Sequence, residues 1–308
     1  MDERTLPTHA ELPVRDDLPP GSSWGVWGDH DVLGTLNLLT PERVLAAARS
    51  IRTGRTFGLN LELTLPDPPL FRRAKFRHEV TNFGMTRVIV HDDLYHDWNT
   101  QSSSQWDGFR HVGHIVHGHY GGVPDEEHGV GHWAGRGIVG RAVLADVDRW
   151  RTAQGRPLAQ GTADAISVDD LRSCLADQGT AVETGDVLLV RTGYLTWYRS
   201  LDHAGREEHA AAPETPGLTG ADLPGALWDL HVSALAADNP AVEPIPPGDP
   251  FLHTIILPLL GVPLGELWDL DALADDCAAT GTYDAFLTSA PLNMPAGVAT
   301  PPNAIAIR

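Results

Sequence analysis

The 308-residue sequence has few cysteines and no long apolar run. Two cysteines, Cys174 and Cys277, are too few for a disulfide framework or a four-thiolate zinc site, so both are expected to be packing residues. No segment approaches the roughly 18 apolar residues that a membrane span requires. The richest run, residues 252–264, is interrupted by His253, Thr254 and prolines. The sequence therefore predicts a protein that does not span a membrane.

Positive charge is also scarce. Lysine and arginine number 22 against 41 aspartate and glutamate residues, which gives a formal charge of -19. A field of that sign repels phosphate backbones and anionic membranes, so nucleic-acid and membrane partners are disfavoured. The first residues are acidic where a secretory signal needs a basic end and an apolar core, which predicts a cytoplasmic protein.

Apolar periodicity predicts helices that alternate with strands. Thr40 is expected to cap a helix over residues 41–54 that has Pro41 at its first position. A helix at 167–179 lies between buried strands at 137–147 and 186–192, and this β-α-β order predicts a parallel pair with a crossover helix. Further helices are predicted at 222–232 and 269–281, and further strands at 56–65, 85–91, 233–239, 285–287 and 304–307.

The first 23 residues differ from the rest of the chain. They contain four prolines, many charged residues and no apolar periodicity, which predicts an N-terminal arm over residues 1–23. Residues 24–308 contain neither an internal repeat nor a low-complexity tract. They are predicted to form one domain, and two domains are the alternative that the chain length leaves open.

Histidine is the one outlier of the composition. Nine of the fifteen histidines fall within residues 78–132, beside many acidic residues. Neutral imidazole and carboxylate groups are the usual ligands of zinc, manganese and iron, so this composition indicates a metal site. A polar, solvated loop region would have the same composition. The nine are His78, His91, His96, His111, His114, His117, His119, His128 and His132.

The densest set of polar side chains is the segment QSSSQWDGFRH, which begins at Gln101. If this segment is extended, Gln101, Gln105 and Asp107 project from one face, because side chains alternate along a strand. His111 follows one turn later, so two amides, a carboxylate and an imidazole would converge. Alternatively, Asp107 and Gly108 form a turn and His111 is an ordinary hydrogen-bonded neighbour.

A second candidate pair lies at the edges of the most apolar segment, where Glu266 follows His253 by thirteen residues. Burying an unpaired carboxylate costs several kcal/mol, so Glu266 is expected to have a cation or a hydrogen-bond donor beside it. A metal ion would be such a cation. Alternatively, Glu266 is a surface residue in the turn before the helix at 269–281. The sequence lacks the short motifs of serine hydrolases, phosphate-binding loops and H-E-x-x-H zinc sites.

In this combination the sequence resembles the cyclase superfamily of bacterial kynurenine formamidase and isatin hydrolase, which are metal-dependent hydrolases of amide C–N bonds. The likeness extends from Trp24 to Arg308. It runs through WGDHDVLGTLNLLTPERVLAAA, SSSQWDGFRH, GIVGRAVLADV, GDVLLVRTGY, ADNPAVE, LHTIILPLLGVPLGEL and SAPLNMPAGVATPPNAIAI. The resemblance implies an α/β fold, a single swivelling β/β/α domain with a mixed sheet as in kynurenine formamidase. It also implies a homodimer or homotetramer.

The family motif H-x-G-T-H-x-D-x-x-x-H places its aspartate at Asp107 and its last histidine at His111. Its two earlier histidines fall on Gln101 and Gln105, a replacement shared by a branch of the family that carries Q-W-D. With the later ligand pair of the family, the implied metal ligands are Asp107, His253, Glu266, Gln105 and Gln101. His111 and Glu266 are the implied acid/base groups, and His111 is alternatively a further ligand. This oxygen-rich set suits manganese or magnesium better than a structural zinc site, and a catalytic zinc ion is the further alternative.

The resemblance implies metal-dependent hydrolysis of a small amide, formamide, cyclic amide or lactone, an arylformamidase-like reaction on carbon–nitrogen bonds other than peptide bonds. Trp24, Trp106 and Phe109 lie in or beside the matched segments and are expected to bind an aromatic substrate, although such rings are also ordinary core material. A metal-dependent cyclase or lyase acting on a polyketide-like or keto-acid intermediate is a second hypothesis. A third is an inactive, metal-poor binding protein, because Gln101 and Gln105 replace two imidazoles.

Overall fold

The computed structural model describes residues 6–82, 84 and 87–308. Its helices are α1 (Pro41–Ala47), α2 (Gly131–Arg136), α3 (Val147–Ala153), α4 (Val168–Asp177), α5 (Tyr194–Ser200), α6 (His203–Ala211), α7 (Leu223–Asp229), α8 (His253–Ile256) and α9 (Asp271–Thr280). Its strands are β1 (Thr56–Gly58), β2 (Arg77–Asn82), β3 (His91–His96), β4 (Gln105–Asp107), β5 (Ile138–Asp146), β6 (Ala165–Ile166), β7 (Val187–Arg191), β8 (Gly217–Leu218), β9 (Ala234–Ala237), β10 (Leu264–Glu266), β11 (Asp284–Ser289), β12 (Ala299–Thr300) and β13 (Ala304–Ile307). None of the helices in these ranges has the length and apolar character that crossing a membrane requires.

A large mixed sheet has the strand order β1-β13-β11-β5-β7-β9-β10-β4-β12. Strands β5, β7, β9 and β10 run parallel, and antiparallel strands extend the sheet on both sides. The central strands β7 and β9 are buried at every position, which is typical of parallel strands covered on both faces. The α/β fold with a mixed sheet, predicted from the sequence, is confirmed.

The predicted N-cap residues of α1 and α4 form capping hydrogen bonds. The Thr40 hydroxyl accepts from the Arg43 amide at 3.4 Å. The Ser167 hydroxyl accepts from the Asp170 amide at 3.1 Å, and the Asp170 carboxylate accepts in return from the Ser167 amide. These bonds satisfy amide groups that a helix leaves unpaired at its first turn. The helix α4 connects the parallel strands β5 and β7, as the β-α-β order predicts.

Helix α1 is shorter than the sequence pattern indicates. It ends at Ala47 and continues as one 3₁₀ turn, Ala48–Ser50, instead of reaching Gly54. Beyond that turn the Thr53 amide donates to the carbonyl of Arg308 at 2.8 Å. This hydrogen bond to the C-terminal residue replaces a helical hydrogen bond, so the helix ends before Thr53.

Two strand predictions also differ from the structure. The strand predicted at 56–65 is limited to β1, because further along the Leu61 amide donates to the Ser104 hydroxyl at 2.8 Å rather than to a neighbouring strand. The strand predicted at 85–91 includes two positions outside the described residues. In this region β3 begins at His91 and pairs with β2 as a separate antiparallel hairpin.

The pairing of β4 with β10 positions the candidate site. These antiparallel strands place Gln105 opposite Glu266 and Asp107 opposite Leu264. Because paired residues share a face and side chains alternate along each strand, Gln105, Asp107 and Glu266 project from the same face. Strand β10 is also the last of the parallel strands, beside β9. Two segments far apart in sequence thus meet at one edge of the parallel region.

The described part of the N-terminal arm lies against α7. The Pro7 carbonyl accepts from Trp228 Nε1 at 2.8 Å, and the His9 amide donates to Asp229 at 2.7 Å. The division of the chain at residue 24 stays a prediction.

The cysteines Cys174 and Cys277 are buried in the main hydrophobic cluster and form no disulfide. Burial raises the pKa of both thiols, so they stay protonated at neutral pH. Their predicted packing role fits these surroundings.

Candidate metal centre

Three buried side chains bring metal-ligating groups together. One ligand atom each from Asp107, His253 and Glu266 lies within 4.8 Å of the others, and among the described residues this is the one cluster of its kind. The three residues are 0%, 4% and 3% exposed. His253 Nε2 is 3.1 Å from Glu266 Oε1 and 3.8 Å from Asp107 Oδ2. The residues that the sequence proposed as ligands from two separate segments therefore meet.

One carboxylate oxygen of the buried Asp107 has no hydrogen-bond partner in the described chain. This oxygen is Oδ2, and the nearby Gln105 Oε1 is likewise buried without a hydrogen-bond partner among the described residues. Burial and the nearby Glu266 carboxylate raise the pKa of Asp107 to about 6. A buried carboxylate oxygen without a hydrogen-bond partner is costly, and a bound cation would offset that cost. Two carboxylates and one imidazole form a donor set that fits manganese, zinc or magnesium.

Glu243 sets the orientation of His253. Its carboxylate accepts from the Leu252 amide at 2.9 Å and from the His253 amide at 3.1 Å, and it also contacts His253 Nδ1. His253 Nε2 therefore faces Glu266 and Asp107. Burial disfavours the charged ring, but hydrogen bonds to Glu243 and Glu266 outweigh burial and raise the pKa of His253 to about 10. A carboxylate on the outer nitrogen is typical of metal-ligating histidines.

The two glutamines face the carboxylates with their amide nitrogens. Gln105 Nε2 donates to Glu266 and, at 3.4 Å, to Asp107. Gln101 Nε2 donates to Asp107 Oδ1 at 3.0 Å and lies 2.9 Å from His111 Nδ1. An amide N–H group is a donor and does not ligate a cation. In this arrangement the glutamines hold the carboxylates, and their role as metal ligands stays a prediction that requires an amide oxygen to turn inward.

His111 lies at the rim of this cluster. Its Nε2 is 3.7 Å from Asp107 Oδ2, and its ring centroid is 6.4 Å from that of His253. Burial lowers the pKa of His111, which favours a neutral ring able to accept a proton. His111 lines a cavity of about 250 Å³ that reaches the metal-ligand cluster. The other lining residues are Phe71, Arg73, Pro240, Ala241, Glu243, Pro244, Ile245, Pro247, Phe251, His253 and Glu266.

With this geometry the chain can be compared with known proteins. The model of the family described as "Putative cyclase" matches residues 42–244. A crystal structure described as that of a novel cyclase is 33% identical, with a TM-score of 0.80 over 93% of this chain and 99% of that chain. This chain belongs to the cyclase family.

More distant structures share the fold of this cyclase-family protein. Isatin hydrolase A from Ralstonia solanacearum has a TM-score of 0.61 at 17% identity, over 87% of this chain and 98% of that chain. A protein described as a "potential metal-dependent hydrolase with cyclase activity" has a TM-score of 0.50 at 15% identity, over 82% of this chain and 98% of that chain. At such identities the likeness shows the fold alone. No curated protein matches the sequence.

The aromatic residues expected to bind substrate lie away from the cavity of this cyclase-family protein. Trp106 is fully buried, because on β4 it points to the face opposite Gln105 and Asp107. Phe109 is also buried, and Trp24 lines a separate cavity. The aromatic rings that line the cavity beside the cluster are Phe71 and Phe251, which are 40% and 39% exposed.

Most histidines of the segment at 78–132 lie outside the candidate metal centre, although the segment contributes Asp107 to it. In the described part of the chain, His111 is its one histidine that lines the cavity. Others lie elsewhere; His114, for example, stacks on His117 with ring centroids 4.7 Å apart. The imidazole of the cluster belongs to His253. The composition predicted a metal site, and most of the histidines that produced this prediction lie outside the candidate cluster.

Some residues of the site are not apparent from the sequence. Glu243 lies in ADNPAVE, so its place in a family segment was the available signal. Phe71, Arg73 and Phe251 belong to no recognisable motif. They reach the cavity through turns of the backbone that residue spacing does not reveal.

Proposed function

We propose that this cyclase-family protein is a metal-dependent hydrolase of a small amide, formamide, cyclic amide or lactone. The observation that carries the proposal is the buried cluster of Asp107, His253 and Glu266, in which Asp107 Oδ2 has no partner among the described residues. The names of the structural relatives, isatin hydrolase and potential metal-dependent hydrolase, support the same reaction class.

Asp107, His253 and Glu266 would hold a divalent ion such as manganese, zinc or magnesium. Bound there, the ion would supply positive charge that polarises a carbonyl group and acidifies water. Glu243 keeps His253 Nε2 directed at the cluster through its contact with Nδ1. Gln105 donates to Glu266 and thereby orients that carboxylate.

His111 is placed to move the proton. It lines the cavity beside the cluster, and its ring is in hydrogen-bond contact with Gln101. A neutral imidazole at this position accepts a proton from the attacking water and returns it to the leaving nitrogen. In the overall reaction of an amide the C–N bond breaks and one water is added, so that a carboxylic acid and an amine are formed; a lactone would open at its acyl C–O bond to give a hydroxy acid.

The cavity favours a small substrate. Its volume of about 250 Å³ lies below the usual range of roughly 300–1,000 Å³ for small-molecule sites. Pro244, Ile245 and Pro247 form an apolar wall, while Glu266 and His111 lie on the polar side. This combination suits an amide or formamide with a compact apolar group.

Bound metal is the first quantity to measure. Wild type, Asp107→Ala and Glu266→Ala are purified without chelator and analysed by inductively coupled plasma mass spectrometry. Near-stoichiometric manganese or zinc is expected in the wild type and should be lost in both variants. A wild type without metal, even after incubation with manganese, would contradict the proposal.

Product analysis then tests the reaction. The metal-loaded protein is assayed on amides, formamides and lactones, and mass spectrometry should show the gain of one water. His111→Gln is expected to retain metal but to lose at least about 100-fold in turnover, as for a removed acid/base group. His117→Gln, a control in the same histidine-rich segment, should keep both properties. A product that has lost water would instead identify cyclodehydration.

A further inference from the structure

The guanidinium group of Arg73 lines the cavity and forms no salt bridge with a described carboxylate. It is one of the lining residues, and its Nη1 donates to the Gln101 carbonyl. Within the residues that the structure describes, no carboxylate forms a salt bridge with its guanidinium. The buried guanidinium groups of Arg151 and Arg191, by contrast, pair with aspartates at 3.0 and 2.8 Å. The remaining N–H groups of Arg73 are therefore available to a ligand.

The backbone is strained where it presents this side chain. Phe71 and Arg72 both have a φ of 57°, in the left-handed region that residues other than glycine rarely adopt. The turn places the guanidinium carbon of Arg73 at 5.1 Å from the centre of the Phe71 ring, and both side chains line the cavity. Helix α6 packs against this turn. Such strain persists where the surrounding structure enforces it, and it is concentrated at ligand sites.

Aromatic rings line the same cavity. Phe71 and Phe251 are both partly exposed there, and the Phe251 ring stacks on His253 at 5.2 Å with an interplanar angle of 19°. Flat apolar walls beside a planar cation fit an aromatic ligand that carries an anionic group. The net charge of -19 repels anions from the protein as a whole, so an anionic ligand needs a local cation such as Arg73.

We infer that Arg73 determines specificity by binding the carboxylate of an aromatic amide substrate whose amide group faces the cluster of Asp107, His253 and Glu266. This inference rests on the proposed hydrolysis. The planar guanidinium matches two carboxylate oxygens, and the Phe71 ring supports the aromatic part of the substrate. During the reaction the C–N bond breaks, the oxygen of water joins the carbonyl carbon, and a proton goes to the nitrogen. The bound carboxylate takes no part in the bond changes.

Equilibrium binding tests the anion site without turnover. Isothermal titration calorimetry compares benzoate with benzamide on the protein as purified and after incubation with manganese. Arg73→Met is expected to weaken benzoate binding about 10- to 100-fold more than benzamide binding, because a charge-assisted hydrogen-bond pair is lost only with the carboxylate. Arg73→Lys keeps the charge without the planar geometry and should lose less.

The neighbouring residue provides the matched control. Arg72 is exposed and is not among the residues that line the cavity, so Arg72→Met should bind benzoate like the wild type. Equal benzoate affinity in wild type and Arg73→Met would overturn the inference. Absence of benzoate binding to the wild type would overturn it as well.

Kinetics separate this inference from the proposed function. Formanilide is compared with the three formamidobenzoate isomers, which add one carboxylate to the same scaffold. Arg73→Met should lower kcat/KM for the best isomer about 10- to 100-fold more than it lowers kcat/KM for formanilide, chiefly through KM. Equal losses on both substrates would overturn the specificity role while hydrolysis stands. Benzoate binding that depends on Arg73, without hydrolysis of any of these formamides, would overturn the inferred substrate class, whereas hydrolysis of a cyclic amide or lactone would leave the proposed function standing.

Discussion

At the scale of single residues, the candidate centre combines several acids with few cations. Asp107, Glu243 and Glu266 are buried around His253, and Asp107 Oδ2 is left without a partner in the described chain. Glu243 is a positioning residue, because its contacts are to His253 and to the Leu252 amide rather than to the other ligands. It couples the start of α8 to the orientation of the ligand imidazole.

Loss of this carboxylate should weaken metal binding. Glu243→Gln replaces one carboxylate oxygen by an amide nitrogen, so His253 Nδ1 loses its negatively charged partner. A decrease of about 10- to 100-fold in manganese affinity is expected, as for other partners of metal-ligating histidines. The affinity is measured by competition with a chelator of known strength. Glu183→Gln is the control, because the side chain of Glu183 is 75% exposed. Equal manganese affinities in the two variants would refute the positioning role of Glu243.

A second residue-scale prediction concerns pH and His128. Burial lowers the pKa of His128 to about 4, its Nε2 lies 3.2 Å from the Tyr120 carbonyl, and its Nδ1 accepts from the Gly129 amide at 3.1 Å. The folded pKa lies below the unfolded value of about 6.5. The contribution of neutral His128 to the free energy of unfolding is therefore fully present above pH 6.5 and is lost as the pH falls toward 4. At pH 5 the loss is about 2 kcal/mol.

His128→Gln should remove this part of the pH dependence. Urea denaturation at pH 7.5 and pH 5.0 should show a smaller loss of unfolding free energy in His128→Gln than in the wild type. The exposed His132 provides the control variant His132→Gln, which should behave as the wild type does. The same loss in all three proteins would show that His128 does not cause it.

At the scale of elements, two three-residue strands carry the carboxylate ligands. Asp107 lies at the end of β4 and Glu266 at the end of β10, and the register between the strands puts both on one face. The middle residue of β10, Gly265, is tightly enclosed: an added Cβ would lie 2.6 Å from the Ala236 Cβ and 2.7 Å from Trp268 Nε1. The absence of a side chain there allows β10 to approach β9 closely.

Gly265→Ala should therefore disturb both stability and the site. Overpacking is expected to lower the free energy of unfolding by about 1–3 kcal/mol and to weaken manganese binding, because Glu266 follows directly. Gly58→Ala in β1 is the matched control, since an added Cβ there meets no atom within 4 Å. Denaturant unfolding and metal titration measure the two effects. If Gly265→Ala binds manganese as tightly as the wild type does, the position of Glu266 does not depend on the close packing of β10 against β9.

At the scale of the whole molecule, ligands from distant parts of the chain are joined across one sheet. Asp107 comes from the middle of the sequence, whereas His253 and Glu266 come from its last quarter. A cation bound by all three would link these segments in the folded state and would not find them assembled in the unfolded chain. Metal binding should therefore stabilise the entire fold.

Chelation is expected to lower the melting temperature. With free metal at about 100 times its Kd, the bound ion stabilises the fold by about 2.7 kcal/mol, so its removal should lower the Tm by several degrees. Differential scanning calorimetry with manganese or with excess chelator measures this difference. Asp107→Ala should show no such response. An equal response in wild type and variant would place the stabilising ion elsewhere.

Local features of this protein follow from its sequence alone. The caps at Thr40 and Ser167 and the buried strands β5 and β7 depend on apolar periodicity and on hydrogen bonds between residues three apart. The candidate ligand residues were predicted from family segments that keep their order along the chain. Such signals depend on neighbours in sequence and can be recognised without coordinates.

The tertiary structure decided which of these residues meet and which way they face. The contact of Glu243 with His253 and the strained turn that brings Arg73 to the cavity depend on backbone conformation. Trp106 was placed in the core by the alternation of β4, although it lies between two residues that face the site. The register of β4 against β10 joins segments far apart in the chain, and residue spacing carries no information about such a pairing.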